Sequence, residues 1–245
     1  MSQPTRTTEM PERKVALLAG VLFLITFATS IPALLLYGPV LDDPAYVLTG
    51  GADTQIQIAA LLEVFLVIAN IGTAVVLFPL LRRHGERLAL GYVAVRIVES
   101  VMIAVGLISL LSVVTMSAGA AGAPDASLVV AGQSLVAIHD WTFLFGPAFC
   151  AALGNGIILG YLLFKTGLVP RRMAMIGLVG GPLLFAAAVA VLFGAFEQTS
   201  GIAFLFTFPE FVWELSLGIY LTVKGFKTAA VAPRARVMAP AVAAG

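Results

Sequence analysis

Very little of this chain is charged. Asp, Glu, Lys and Arg make up 11% of its 245 residues, hydrophobic residues 60%, and the mean hydropathy is +1.03. That balance excludes an ordinary soluble globular domain. Cysteine is all but missing. Cys150 stands alone, so an internal disulfide and a Cys-x-x-Cys metal or redox pair are both excluded, and its expected role is apolar packing. Histidine occurs twice, at His84 in a basic loop and His139 at the opposite end of another segment, so the two cannot sandwich one haem. The formal net charge is +1 and no basic stripe carries interleaved aromatics, which argues against a nucleic-acid partner. No His-Glu-x-x-His, Walker A or Gly-x-Ser-x-Gly sequence is present, and no nucleophile–base pair is readable. An intramembrane enzyme is therefore a distant third reading, and no cofactor is expected.

What the chain does have is long apolar runs. Six are readable, at about 14–37, 54–81, 88–115, 135–164, 173–196 and 202–223. Each is long enough to cross a hydrocarbon core of about 30 Å at roughly 1.5 Å per residue. The expectation is an all-α polytopic membrane protein, six transmembrane helices in one bundle with a buried polar centre. Residues 1–13 and 228–245 are expected to be disordered cytoplasmic tails. Ala28-Thr29-Ser30 resembles a signal-cleavage site, but the apolar run continues past it, which favours an uncleaved first helix. The segments at 38–53 and 116–132, rich in Gly, Pro, Asp or Ala, read as loops. Gly146-Pro147 marks a candidate break in the fourth segment, and Gly180-Gly181-Pro182 a kink in the fifth.

The basic residues orient the bundle. Six crossings put both termini on one side with the loops at 82–87 and 165–172, and every Lys and Arg except Arg96 falls there. By the positive-inside rule that side is cytoplasmic, so the expectation is a cell-membrane (inner-membrane) protein with both termini inside.

Arg96 is the exception that matters. It sits with Glu99 inside the third apolar segment, where a charge costs several kcal/mol unless paired and turned inward. Counting from the cytoplasmic helix ends puts Arg96, Glu99, Asn70, Asn155 and Glu214 near the midplane. Glu210 falls one turn further out, Glu63 near the outer boundary, and His139 and Asp140 at the outer headgroups. An ion network of Arg96, Glu99 and Glu214 is expected, with Glu210 or Glu214 offering the guanidinium a second carboxylate. Two carboxylates per arginine leave an excess negative charge, which a proton-coupled carrier needs and a static clamp also shows. Glu63, Asn70, His139, Asp140, Asn155, Glu210 and Trp213 are the candidate lining of a ligand cavity. Each has a blander reading: asparagines as interhelical glue, Trp141 and Trp213 as packing or interface anchors, Gly156 and Gly160 as a close helix contact. An oxygen-rich metal site on Glu63, His139, Asp140 and Glu210 is conceivable but disfavoured, and no metal is expected.

Several stretches, in order, carry a resemblance. They span about Arg13 to Phe226 and are Arg13-Lys14 opening the first helix, Tyr37-Gly38-Pro39-Val40-Leu41, Ile71-Gly72-Thr73 through Phe78-Pro79, Gly91-Tyr92 through Arg96 and Glu99, His139-Asp140-Trp141-Thr142-Phe143, Gly160-Tyr161-Leu162 with Val169-Pro170-Arg171, and Trp213-Glu214 with Lys224-Gly225-Phe226. On these the chain resembles the bacterial multi-pass membrane family called domain of unknown function 4386. The resemblance implies an integral membrane protein and no particular activity, cofactor or site residue. Two functions follow as expectations. One is a small-solute binding or proton-coupled transport protein with an outward-facing polar cavity. The other is a non-catalytic scaffold that docks a membrane protein partner and uses its buried charges structurally. The lipid bilayer is a partner in either case.

Overall fold

The computed structural model describes residues 10–119 and 126–227. Residues 1–9 of the tail expected at 1–13, the tail expected at 228–245, and Pro124 with Asp125 lie outside the described residues, while Glu12 and Arg13 belong to the first helix and not to a tail. Among the described residues every regular element is a helix. We label them α1 (Glu12–Leu36), α2 (Gly38–Asp42), α3 (Tyr46–Thr49), α4 (Asp53–Gly119), α5 (Ala126–Thr166), α6 (Arg171–Leu192) and α7 (Gly201–Val223). Five of these, α1 and α4 to α7, are long and apolar enough to cross a bilayer.

The 67 residues of α4 are not straight. At Gly85 the backbone takes φ 174° and ψ 88°, and the helix folds back on itself. Asn70 before the bend and Glu99 after it are hydrogen-bonded to each other, so the two arms lie side by side. The basic residues expected in a loop at 82–87 therefore sit on helical turns flanking one bent residue. Arg82 stacks over the Phe78 ring at 5.9 Å, which keeps its charge at the helix end.

Two expected loops are more ordered than composition suggests. The segment 38–53 holds α2 and α3, tied together by side chains. The Tyr46 hydroxyl donates to Asp53 Oδ1 at 2.8 Å, Gln55 donates to the Leu36 carbonyl at 2.9 Å, and Asp43 accepts from the Ala45 amide at 2.9 Å. Burial and the Asp53 hydrogen bond push the Tyr46 phenol up to about 12. In the Ala-rich stretch 116–132, α4 runs on to Gly119 and α5 starts at Ala126, nine residues ahead of the expected position. Alanine is the best helix former, and Gly132 lets α5 pack onto Val47 of α3.

α5 is continuous through Gly146-Pro147, where a break was the candidate. It passes that point by widening into π-helix over Leu144–Cys150 and again over Ala152–Leu159. Such wide turns are rare and often accompany functional positions. Close helix approach fixes the rest of the frame. A Cβ on Gly20 of α1 would lie 2.5 Å from the Thr222 amide of α7, so those helices meet backbone to backbone, the N-terminal half of α1 against the C-terminal end of α7. Arg13 reinforces that end by donating to the Leu221 and Thr222 carbonyls at 3.0 and 2.9 Å, partners that a helix C-terminus otherwise leaves unmet. Gly156 of α5 abuts Gly181 of α6 in the same way.

Two large apolar cores result, beside a small cluster of Ala151, Ala152 and Leu184. One gathers Phe23, Leu77, Leu81, Leu159, Leu162, Trp213 and Leu217 around the arginine-rich ends of the helices. The other gathers Tyr37, Val40, Tyr46, Ile56, Leu110 and Val113 at the opposite end. The polar side chains lie between them.

Candidate functional site

Between the two cores is a cavity of about 320 Å³. Helical periodicity builds it. Phe27, Ser30, Ile31 and Leu34 of α1 stand at i, i+3, i+4 and i+7, as do Thr207, Glu210, Phe211 and Glu214 of α7. Glu63, Leu66 and Asn70 form the same stripe on the first arm of α4, and Arg96, Glu99 and Ile103 on the second. α5 adds His139, Phe143, Pro147 and Ala151. The lining thus holds four carboxylates, one guanidinium and one imidazole amid apolar side chains.

Arg96 is 2% exposed and donates from one terminal nitrogen to Glu99 Oε2 at 2.7 Å. Its other terminal nitrogen donates to Asn70 Oδ1, and the Asn70 amide donates to Glu99 Oε1 at 3.2 Å. Arginine, carboxylate and amide thereby close a ring. The second partner from a neighbouring segment is neutral Asn70, where a second carboxylate was expected. Glu214 is engaged elsewhere: it accepts from Asn155 Nδ2 at 2.7 Å, while Asn155 Oδ1 accepts from the Tyr92 hydroxyl at 3.1 Å. Trp213 is fully buried and donates to the Asn155 carbonyl at 3.0 Å, in the second π-helical stretch. At the opposite end Tyr37 donates to Glu63 Oε2 at 3.0 Å, and the His139 ring stands 5.8 Å from that of Tyr37.

Glu210 differs from all of these. It is 2% exposed, yet neither carboxyl oxygen has a hydrogen-bond partner among the described residues. Those oxygens lie in a slot between glycines. A Cβ on Gly156 would be 2.7 and 2.9 Å from them, and one on Gly180 would be 2.9 Å from Oε2. A carboxylate buried without hydrogen-bond partners is costly. Arg96 Nε is likewise buried and unpartnered, on the same cavity wall.

Of the side chains expected to line a cavity, Glu63, Asn70, His139 and Glu210 do so, together with Arg96, Glu99 and Glu214. Asn155 and Trp213 stand behind that wall, as supports for Glu214. Asp140 points away. It touches His139 Nδ1 at 3.4 Å but is 63% exposed in its side chain, and it lines a separate hollow of about 210 Å³ with Asp43 and Tyr46. Adjacent helical residues project in different directions, so His139 turns inward and Asp140 outward. Sequence reasoning passed over Tyr37, Tyr92 and Thr207. Spacing was the available signal: Thr207 is one turn from Glu210, and Tyr92 one turn from Arg96.

These features define a class: a bundle of long apolar helices wrapped round an acidic cavity, one carboxylate of which lacks a partner. The chain belongs to the family described as Domain of unknown function (DUF4386), whose model matches residues 18–225. No curated protein and no solved structure matches the chain.

Proposed function

We propose that the protein is a six-span inner-membrane protein that binds, and exchanges for a proton, a small cationic solute in the central cavity. The two arms of α4 count as separate crossings, since they fold back at Gly85 and each is long enough to span. That count leaves Arg13, Arg82, Arg83, Lys165, Arg171 and Lys224 on one side, which the positive-inside rule assigns to the cytoplasm. The apolar core at that end closes the cavity from below, so access is from outside.

One observation carries the reading: Glu210 is a buried cavity-wall carboxyl group that has no hydrogen-bond partner among the described residues. Arg96 is committed to Glu99 and Asn70. A proton or a cationic solute supplies what Glu210 lacks, and competition between the two at one carboxylate is the elementary step of proton-coupled exchange. Glu214 and Glu63 extend the negative field on either side.

The alternative is a scaffold whose charges are purely structural. The closed ring of Arg96, Glu99 and Asn70 favours it, because every member holds another in register. Glu210→Gln separates the two. A binding carboxylate held at a stability cost predicts that the variant melts no lower than wild type and loses cation binding by calorimetry. Unfolding of that variant would instead mark Glu210 as part of the clamp.

A further inference from the structure

The cavity wall between α1 and α7 changes character along its length. Near the cytoplasmic end it is sealed, because Gly20 and Thr222 bring the two backbones together. Two turns further out the contact passes to side chains, Phe27 against Phe211 edge to face at 5.2 Å. Both of these rings line the cavity. Beyond them Ile31 and Leu34 also line it, yet they are 46% and 42% exposed. They lie roughly 30 Å along α1 from Glu12, at about 1.5 Å per residue. On the α7 side Phe211, Phe208 and Phe204 form a continuous run, with ring centroids 6.3 and then 5.8 Å apart. Phe208 is 47% and Phe204 63% exposed. A greasy track therefore leads from the outer part of the apolar helix surface to the ring that borders Glu210.

From this we infer that the outer halves of α1 and α7 form a lateral portal, and that the occupant is an amphiphilic cation drawn from the outer leaflet. The inference rests on the cation-binding reading of the cavity and adds the chemical class of the ligand. Its ammonium group seats at Glu210 between Glu214 and Glu63, and its alkyl chain lies along Phe211, Phe208, Ile31 and Leu34. A purely hydrophilic cation needs no apolar track and gains nothing from one. An anionic or neutral lipid would leave Glu210 uncompensated. The 320 Å³ available falls at the small end of ligand pockets, so the headgroup is enclosed while the chain remains in the portal.

The test uses the full chain in phosphatidylcholine liposomes with a decyltrimethylammonium probe carrying a terminal diazirine. On irradiation the label is expected on α1 around Ile31 and Leu34 and on α7 around Phe204 and Phe208. Unlabelled decyltrimethylammonium should displace it and decyl sulfate should not. Glu210→Gln should reduce the displaceable label at least tenfold. Ile31→Trp, a change at an exposed position that fills the portal without touching the core, should do the same. Parallel calorimetry with tetramethylammonium keeps the two readings apart. Heat that depends on Glu210, together with label spread evenly over all lipid-facing helices, overturns the portal and leaves the cation site standing. Absence of both tetramethylammonium heat and displaceable label removes the cation site and the portal with it.

Discussion

Arg96 and Glu210 are opposite solutions to burying a charge. Arg96 is answered at both terminal nitrogens, by Glu99 and Asn70, so its removal strands those two inside an apolar wall. Arg96→Met should lower stability by about 3–5 kcal/mol, the usual cost of leaving half of a buried pair. The Arg96→Met/Glu99→Gln double variant should recover a large part of that loss. Thermal melts in one detergent check both, and a double variant no better than the single would show that the ring is not a unit. Glu210 has no such partners, and its slot is shaped by missing side chains. Gly156→Ala adds a methyl 2.7 Å from one carboxyl oxygen and against Gly181, which forces that carboxylate out of place. A fall in cation affinity of at least tenfold is expected, with a stability cost of about 1–3 kcal/mol from overpacking. Gly91→Ala meets only Ile158 at 3.8 Å and serves as the neutral comparison. Arg96 was legible in the sequence because a charge in an apolar run cannot be missed. The identity of its second partner was not. Depth along a helix can be counted, but which way Glu214 turns depends on Asn155 and on the widened turn of α5.

At the scale of single elements, the short helices α2 and α3 hold the end of the bundle opposite the arginine-rich one. Their anchor is the Tyr46 hydroxyl, which donates to Asp53 and accepts from the Ala52 amide at 3.1 Å. Tyr46→Phe should cost about 1 kcal/mol, the net worth of such hydrogen bonds. The phenol is raised in the folded state to about 12 from an ordinary value of 10.0. Its contribution is therefore complete below pH 10 and is lost as pH rises from there toward 12. Chemical-denaturation midpoints of wild type and Tyr46→Phe should accordingly converge across that window. A gap that persists at pH 12 would mean the anchor is not the phenol. None of this segment reads as helix by composition, since Gly, Pro and Asp dominate it. The ordering comes from side-chain contacts that only close proximity allows. α5 makes the same point. Gly146-Pro147 suggests a break, but close packing of Gly146 on Met102 and of Gly154 on Val95 lets the chain stay helical by widening.

For the whole molecule, the two arms of α4 set the topology. If each arm crosses the bilayer, Asp43 lies outside and Lys165 inside. In a Cys150→Ser background, Asp43→Cys should react with a membrane-impermeant maleimide in intact cells, and Lys165→Cys should react only after permeabilisation. Reaction of both in intact cells would sink the six-span arrangement. The bend at Gly85 explains why hydropathy and helix assignment count differently. Hydropathy falls at Arg82, Arg83 and Arg87 and divides the run in two, whereas the backbone departs from helix at a single residue.

The amino-acid sequence by itself determined that this chain is helical and apolar enough for a bilayer, with its arginines and lysines gathered in a few short segments. Those properties are sums over local composition and spacing, and need no knowledge of neighbours. Only the tertiary structure decided that Arg96 closes a ring with Asn70, that Asp140 faces away from the cavity, and that Glu210 is left without a partner. Satisfaction of a buried polar group depends on atoms from helices distant in sequence, brought within about 3 Å by glycine contacts whose geometry is set by the packed bundle.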